Sequence, residues 1–199
     1  MYKIGDISEI RTGIIVSSFK NYNYSLNHSD YKILTLASID EYSHIVYKKL
    51  DSSKFEYEKI EACLTRKGDI LIRQSYPFTV IVIDDEINLV IPSTFIILRI
   101  TNNLFNNDFV GWYLGTYKVR NDFIRTQTGS IQPTINKKII SDIVLPNLNI
   151  DDQHKISQLI SIMAKRSKKV NKLLNEYEKE NEIITKLLIQ KNIESMDRN

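Results

Sequence analysis

The sequence predicts an α/β (α+β) chain in which a mixed globular domain over residues 1 to about 150 precedes one long α-helix. Three observations carry this prediction. Up to Pro146, short runs rich in Ile, Val, Leu, Tyr and Thr alternate with turn chemistry, the pattern of strands in a folded domain. From Asp151 to Ile193 there is no Gly and no Pro, and helix formers dominate. Within that stretch the apolar spacing changes to seven residues.

In chain order, strands are expected over Tyr31 to Ile39, His44 to Leu50, Asp69 to Arg73, Phe78 to Ile83, Asn88 to Leu98 and Ile143 to Leu145. Turns fall at Lys67-Gly68-Asp69, Asp84-Asp85 and Thr101-Asn102-Asn103. Asn107 to Arg125 lacks Pro, and the spacing of Phe109, Trp112, Tyr113, Tyr117, Phe123 and Ile124 predicts two short helices. Pro133 and Pro146 bracket a further short helix, and Pro146 closes the domain. The long helix follows over residues 151–193, capped by Asp151 or Asp152, with 194–199 as a tail.

Ile156, Met163, Val170, Tyr177 and Ile184 form one seam of the heptad, and Leu159, Leu173 and Leu187 form the second. Arg166 and Glu180 interrupt the second seam, while Ile160, Leu174 and Leu188 widen the stripe beside it. At 1.5 Å per residue such a helix spans roughly 60 Å, too long to be buried under so small a domain, so it needs a partner helix. Charge indicates the partner's direction. Lys165, Arg166, Lys168, Lys169 and Lys172 precede Glu176, Glu178, Glu180 and Glu182, broken only by Lys179. A second copy crossing near residue 173 in antiparallel sense sets basic against acidic, whereas a parallel copy sets like against like. The same charges would also serve as a solvated face.

Composition excludes several classes. With 42% hydrophobic and 26% charged residues the chain can bury a core and should fold. MYKIGDISEIRTG has no apolar run behind a positive start, so it is not a secretory signal. The most apolar stretch, Ile87 to Ile100, is broken by Asn88, Pro92, Ser93 and Thr94. A cytoplasmic location without a membrane span is expected. Cys63 is the single cysteine and reads as a small buried hydrophobe. His28, His44 and His154 lack metal-site spacing and read as surface or loop residues. Neither GxxxxGK[ST] nor GxGxxG occurs, and the Asn/Asp-Pro-Pro-aromatic cluster of an amino-group methyltransferase is missing too. No G-x-S-x-G elbow is present. Asp84-Asp85 reads as a turn, since a metal-dependent nuclease needs further carboxylates or a lysine and no Glu-x-Lys strand follows closely. No catalytic residue and no metal site is expected, so the sequence reads as a binder.

A net charge of +3 says less about partners than its distribution. Between Thr116 and Lys138, five cations (Lys118, Arg120, Arg125, Lys137 and Lys138) stand against one acid, Asp122. Among them lie Gln127, Thr128, Ser130, Gln132, Thr134 and Asn136, amides and hydroxyls able to reach bases or phosphates. Gly129 permits a strained turn and close approach. Arg73, Gln74, Ser75 and Tyr76 form a second candidate, because Arg suits guanine and Gln suits adenine in a major groove. Arg and Gln are also common on any surface, and Thr128 to Thr134 equally fits a plain connection between helices.

An ordered set of short motifs adds a resemblance. Thr128-Gly129-Ser130-Ile131-Gln132-Pro133-Thr134-Ile135, then Ile139, Ile140 and Ile143, Leu145-Pro146, and Gln153-His154-Lys155-Ile156 resemble the exit from a target-recognition domain into the long helix of type I restriction–modification specificity subunits. Ile4-Gly5-Asp6-Ile7, Glu9-Ile10 and Thr12-Gly13 look like that domain's opening, and Gly68-Asp69-Ile70-Leu71 resembles its central strand. The resemblance implies a non-catalytic DNA-recognition subunit. Two recognition domains at opposite ends of paired antiparallel helices each read half of a split double-stranded DNA site. The helices dock adenine methyltransferase (modification) subunits, and a restriction subunit acts where cleavage occurs. S-adenosylmethionine and ATP would bind those partner subunits, leaving this chain with no cofactor. One domain and one helix, without internal repeat, resemble a half-length subunit. Two copies pairing antiparallel would rebuild the whole with twofold symmetry and read a split palindrome. A heterodimer with another half-subunit would read an asymmetric site. A coiled-coil interaction protein without a DNA role, and a fragment of a longer subunit, are the other readings of the same features; a stand-alone nuclease or methyltransferase lacks its motifs.

Overall fold

The computed structural model describes residues 1–19, 28–40, 42–85, 87–125 and 134–196. Contacts divide the chain into two units, Met1–Ser157 and Gln158–Asn199. The described strands are β1 (Ser8–Thr12), β2 (His28–Ile33), β3 (Asp51–Glu56), β4 (Ile70–Arg73), β5 (Val80–Val82) and β6 (Phe95–Ile100). The α-helices are α1 (Ile4–Ile7), α2 (Tyr57–Ile60), α3 (Asn107–Leu114), α4 (Tyr117–Arg125), α5 (Lys137–Ser141) and α6 (Ile150–Met196).

An antiparallel sheet in the order β1-β6-β4-β5 organises the first unit. Alternation along a strand sends neighbouring side chains to opposite faces. Ile70, Ile72, Ile96 and Leu98 therefore meet one core with Ile4, Phe109, Val110, Val119, Phe123 and Ile140 from the helices. Leu71, Ile81, Phe95 and Ile97 meet a second core with Leu34, Cys63, Leu89 and Ile91. Both faces are covered, so these strands read as continuous apolar runs. Cys63 is buried as expected, and that burial pushes its thiol pKa up.

The β2–β3 pair forms a separate two-stranded sheet over a third cluster containing Ile33, Phe55, Ile60, Leu64 and Val90. Sequence patterning misplaces several strands here. The expected run Tyr31–Ile39 ends as β2 at Ile33 and gives way to a 3₁₀ turn at Leu36–Ser38. His44–Leu50 supplies only a bridge between Ile39 and Ile45 and a 3₁₀ turn at Tyr47–Lys49. The partner of β2 is instead Asp-Ser-Ser-Lys-Phe-Glu of β3, where only Phe55 is buried, so hydrophobic alternation could not reveal it. Polar β1 escapes for the same reason. Asn88–Leu98 is interrupted at Pro92, which lacks an N–H for a ladder, and β6 begins at Phe95. Ile143–Leu145 provides one bridge, Val144 to Lys3.

The motif glycines have definite local reasons. Gly68 has φ +87°, a conformation that disfavours a Cβ, and turns the chain into β4. A Cβ on Gly13 would overlap the backbone carbonyls of Ile91 and Pro92. Next to Gly68, the Asp69 carboxylate is buried and accepts from Arg99 Nε (2.8 Å), Arg99 Nη2 (2.7 Å) and the Arg66 N–H (2.7 Å). This charge-assisted fork ties the start of β4 to β6 and holds Arg99 in its charged form.

Two short helices do occupy Asn107–Arg125; α3 is capped by Asn106, whose Oδ1 accepts from the Phe109 N–H at 2.9 Å. The long helix differs from expectation at its start. Asn149 supplies the cap, its Oδ1 accepting from the Asp152 N–H at 2.8 Å, while Asp151 and Asp152 lie in the first turn. There they face the positive end of the helix dipole. Gln153 is completely buried. Its Nε2 donates to the carbonyls of Leu104 (3.1 Å) and Leu148 (3.0 Å), and its Oε1 accepts from the Asn106 N–H (3.0 Å). Ser157 Oγ donates to Asn106 Oδ1 at 2.7 Å, and Ile156 packs against the first core. The first two turns of α6 are therefore part of the domain, and Ile156 is occupied there instead of opening an unpartnered seam.

Candidate nucleic-acid interface

The two polar stretches singled out in the sequence converge. At the end of β4 the Arg73 N–H donates to the Thr79 carbonyl (2.9 Å), and the Gln74 N–H to Thr94 (3.0 Å). The chain returning from the segment after α4 joins the same end of the strand. Ser75 bridges antiparallel to Thr134, and the Ile135 N–H donates to the Gln74 carbonyl at 2.8 Å. Buried Ile135 anchors that return to the first core. Tyr76 is exposed and packs edge-on to Phe78 (centroids 6.0 Å apart), which packs edge-on to Phe123 of α4 (5.5 Å). An aromatic chain thus links the β4–β5 loop to α4.

Helix α4 buries Val119 and Phe123 and separates its cations. Residues four apart share a helix face, whereas residues two apart diverge. Lys118 and Asp122 consequently line one groove of about 430 Å³, together with Tyr113, Ile139, Asp142 and Val144. Arg120 lines a different cleft of about 270 Å³ with Arg73, Leu36, Asp40, Phe78 and Thr79. No local pattern indicates that Leu36, Ile39 or Asp40 would meet Arg73, because that wall comes from an irregular segment distant in the chain.

Arg73, Gln74, Tyr76 and Arg120 thus share one region of the first unit, and Lys118 does not join the cleft. Arg125 ends α4 and Lys137 begins α5, both exposed, with Asn136 capping α5 through the Ile139 N–H (3.0 Å). Gln127, Ser130 and Gln132 lie outside the described residues.

Asp84-Asp85 has a structural partner: Tyr47 Oη donates to Asp85 Oδ2 at 2.9 Å. Burial, that hydrogen bond and the two carboxylates push the Tyr47 phenol up to about 12. Among the described residues no three His, Cys, Asp or Glu side chains cluster as metal ligands, and no helix is long and apolar enough to cross a membrane.

In the second unit Leu159, Met163, Val170, Leu173, Leu174, Tyr177, Ile184, Leu187 and Leu188 are all exposed, and Ile160 is half-buried. Ile162, Ile183 and Ile189 are exposed as well. These three fall outside the two seams and the stripe beside them; Ile162 and Ile183, three heptads apart, mark an added edge.

No protein-family model matches the sequence, and no curated protein matches it. Solved structures do. An HsdS subunit from Thermoanaerobacter tengcongensis aligns over 83% of this chain and 37% of its own, at 16% identity and a TM-score of 0.55. A chain from work on complex assembly and conformational transition of a type I restriction–modification system aligns over 92% of this chain and 46% of its own, at 16% identity and TM-score 0.63. The type I restriction–modification S subunit from M. genitalium aligns over 82% of this chain and 38% of its own, at 13% identity and TM-score 0.51. The chain spans less than half the length of each. Its mixed α/β domain and long C-terminal helix have the fold of the S subunits of type I restriction–modification systems.

Proposed function

We propose that this chain is the DNA sequence-specificity component of a type I restriction–modification system, directing an adenine methyltransferase, and a restriction subunit where one is present, to a split site. The observation that carries the reading is the convergence at the C-terminal end of β4. Arg73, Gln74 and Tyr76 meet the return of the cation- and amide-rich segment through Ser75–Thr134, on a domain with the S-subunit fold. The first unit serves as the recognition domain, with Arg125, Lys137 and the residues between them completing the DNA-facing surface. The second unit is the spacer and pairing helix. The chain carries out no catalysis, and S-adenosylmethionine and ATP belong to its partner subunits.

The exposed stripe from Leu159 to Leu188 requires a second helix, for about 25 cal/mol is gained per Å² of apolar surface removed from water. A second copy, antiparallel about residue 173, pairs the basic and acidic blocks, and identical domains then read a palindromic split site. The same stripe also supports a coiled-coil scaffold without a DNA role, and the remainder of a longer chain could supply the second helix.

The test is a methylome. The chain is co-expressed with the adenine methyltransferase encoded beside it, and modified adenines are mapped by single-molecule sequencing. A split palindrome that depends on the chain supports both the role and the symmetric pair; an asymmetric split motif replaces the homodimer with a heterologous partner. Methylation independent of the chain, or none from a soluble complex, favours the scaffold.

A further inference from the structure

We infer that the cleft between Arg73 and Arg120 is a clamp for one backbone phosphate of duplex DNA, a role distinct from base reading. This rests on the DNA-recognition reading above. Three observations support it. First, Arg73 of β4 and Arg120 of α4 line one cleft of about 270 Å³, and neither forms an ion pair among the described residues. Two cations against the one acid of the cleft leave it net positive, and an anion bound there relieves that excess. Second, Arg73 Nε is buried and has no hydrogen-bond partner among the described residues. A buried donor left unpaired is uncommon, and here it shows that no described acceptor holds the Arg73 guanidinium through Nε. Third, the single acid of the cleft, Asp40, is already engaged: its Oδ1 accepts from the N–H groups of Tyr42 (2.9 Å) and His44 (2.8 Å), and Oδ2 lies 3.4 Å from His44 Nδ1. Its charge offsets at most one of the two arginines, so the cleft keeps a net positive charge.

Shape decides between phosphate and base. Base edges of a duplex are read at the floor of a groove, by elements that protrude into it. A cleft walled by Leu36, Ile39, Pro77 and Phe78 is concave. Phosphates are the outermost groups of the duplex and enter such a recess, offering several acceptor oxygens to the planar guanidinium forks. Arg73 and Arg120 then fix the register of the domain on DNA, while Gln74, Tyr76 and the segment before Thr134 are left to specify sequence.

The experiment measures binding of the full chain, alone and with its methyltransferase, to the methylome-derived duplex and to a scrambled duplex over a range of salt. Arg120→Gln is the primary variant, because Arg120 is exposed and its loss spares the core; Arg73→Gln is the second, with its fold verified by circular dichroism. Each should weaken both duplexes by the same factor, on the order of tenfold. Each should also reduce the slope of log affinity against log salt by about 0.9 while leaving the methylated motif unchanged. Loss confined to the cognate duplex, or a relaxed motif, would overturn the clamp in favour of base reading. Wild-type affinity and salt slope in Arg120→Gln would overturn it outright. If the wild-type chain binds neither duplex, the DNA-recognition reading itself fails, an outcome separate from the other two.

Discussion

Gln153 is fully buried, and its amide satisfies three backbone groups: the Leu104 and Leu148 carbonyls and the Asn106 N–H. In Gln153→Leu the volume is nearly kept but all three groups lose their partner. An unsatisfied polar group costs about 1–3 kcal/mol, and water can reach the partly exposed Leu104 side, so about 1 kcal/mol each is appropriate. The expected loss is roughly 3 kcal/mol, which for a unit of this size lowers Tm by about 6–12 °C. Because Asn106 also caps α3 and accepts from Ser157 Oγ, amide-hydrogen protection should fall at the start of α3 and in the first turns of α6 before it falls in the sheet. The assay is thermal denaturation with hydrogen exchange, and the control is His154→Ala, an exposed neighbour on the same helix. Gln153→Glu sharpens the test. A carboxylate facing two carbonyls is disfavoured when ionised, so that variant should regain stability in mild acid. A Gln153→Leu protein with the Tm of the control would show that the Gln-x-x-Ile motif is not the anchor inferred here.

Three further outcomes follow. Asp69→Ala strands the Arg99 guanidinium, whose side chain is only 19% exposed, and should cost about 3 kcal/mol, the low end for a broken buried pair because water still reaches the arginine; a Tm within a degree or two of wild type, on the order of a surface substitution, would contradict this. Val170→Asp with Leu173→Asp places charges in the proposed seam and should give monomers in light scattering with an unchanged domain; a persistent dimer would remove these positions from the interface. Lys3 Nζ lies 2.9 Å from Asp142 and holds that carboxyl below its ordinary pKa, while Asp142 raises Lys3. The carboxylate's contribution is present above its unfolded pKa and lost as pH falls through the depressed folded value; the ammonium's is lost as pH rises through its raised one. The Tm difference between wild type and Lys3→Met should therefore close at both extremes of pH, and a constant difference would assign Lys3 to packing.

The features legible along the chain are those where one-dimensional patterns are strong. The seven-residue repeat, unbroken by Gly or Pro, announced α6, and uniform apolar character announced β4 and β6 because both faces of their sheet are covered. Helical spacing in a stretch without Pro announced α3 and α4. The remainder follows from how distant elements pack. The strands β1 and β3 are polar enough to look like loops, and only the ladders to β6 and β2 make them strands. Lys118 and Arg120, adjacent in a cation-rich stretch, were parted by the helix on which both sit, and Arg120 was joined instead to Arg73 and to residues near Asp40. The buried anchor at Gln153 likewise depends on a loop some fifty residues earlier. Periodicity records which face of an element is buried. Which side chains from distant elements come to share a cleft depends on how those elements pack, and local composition holds no record of that.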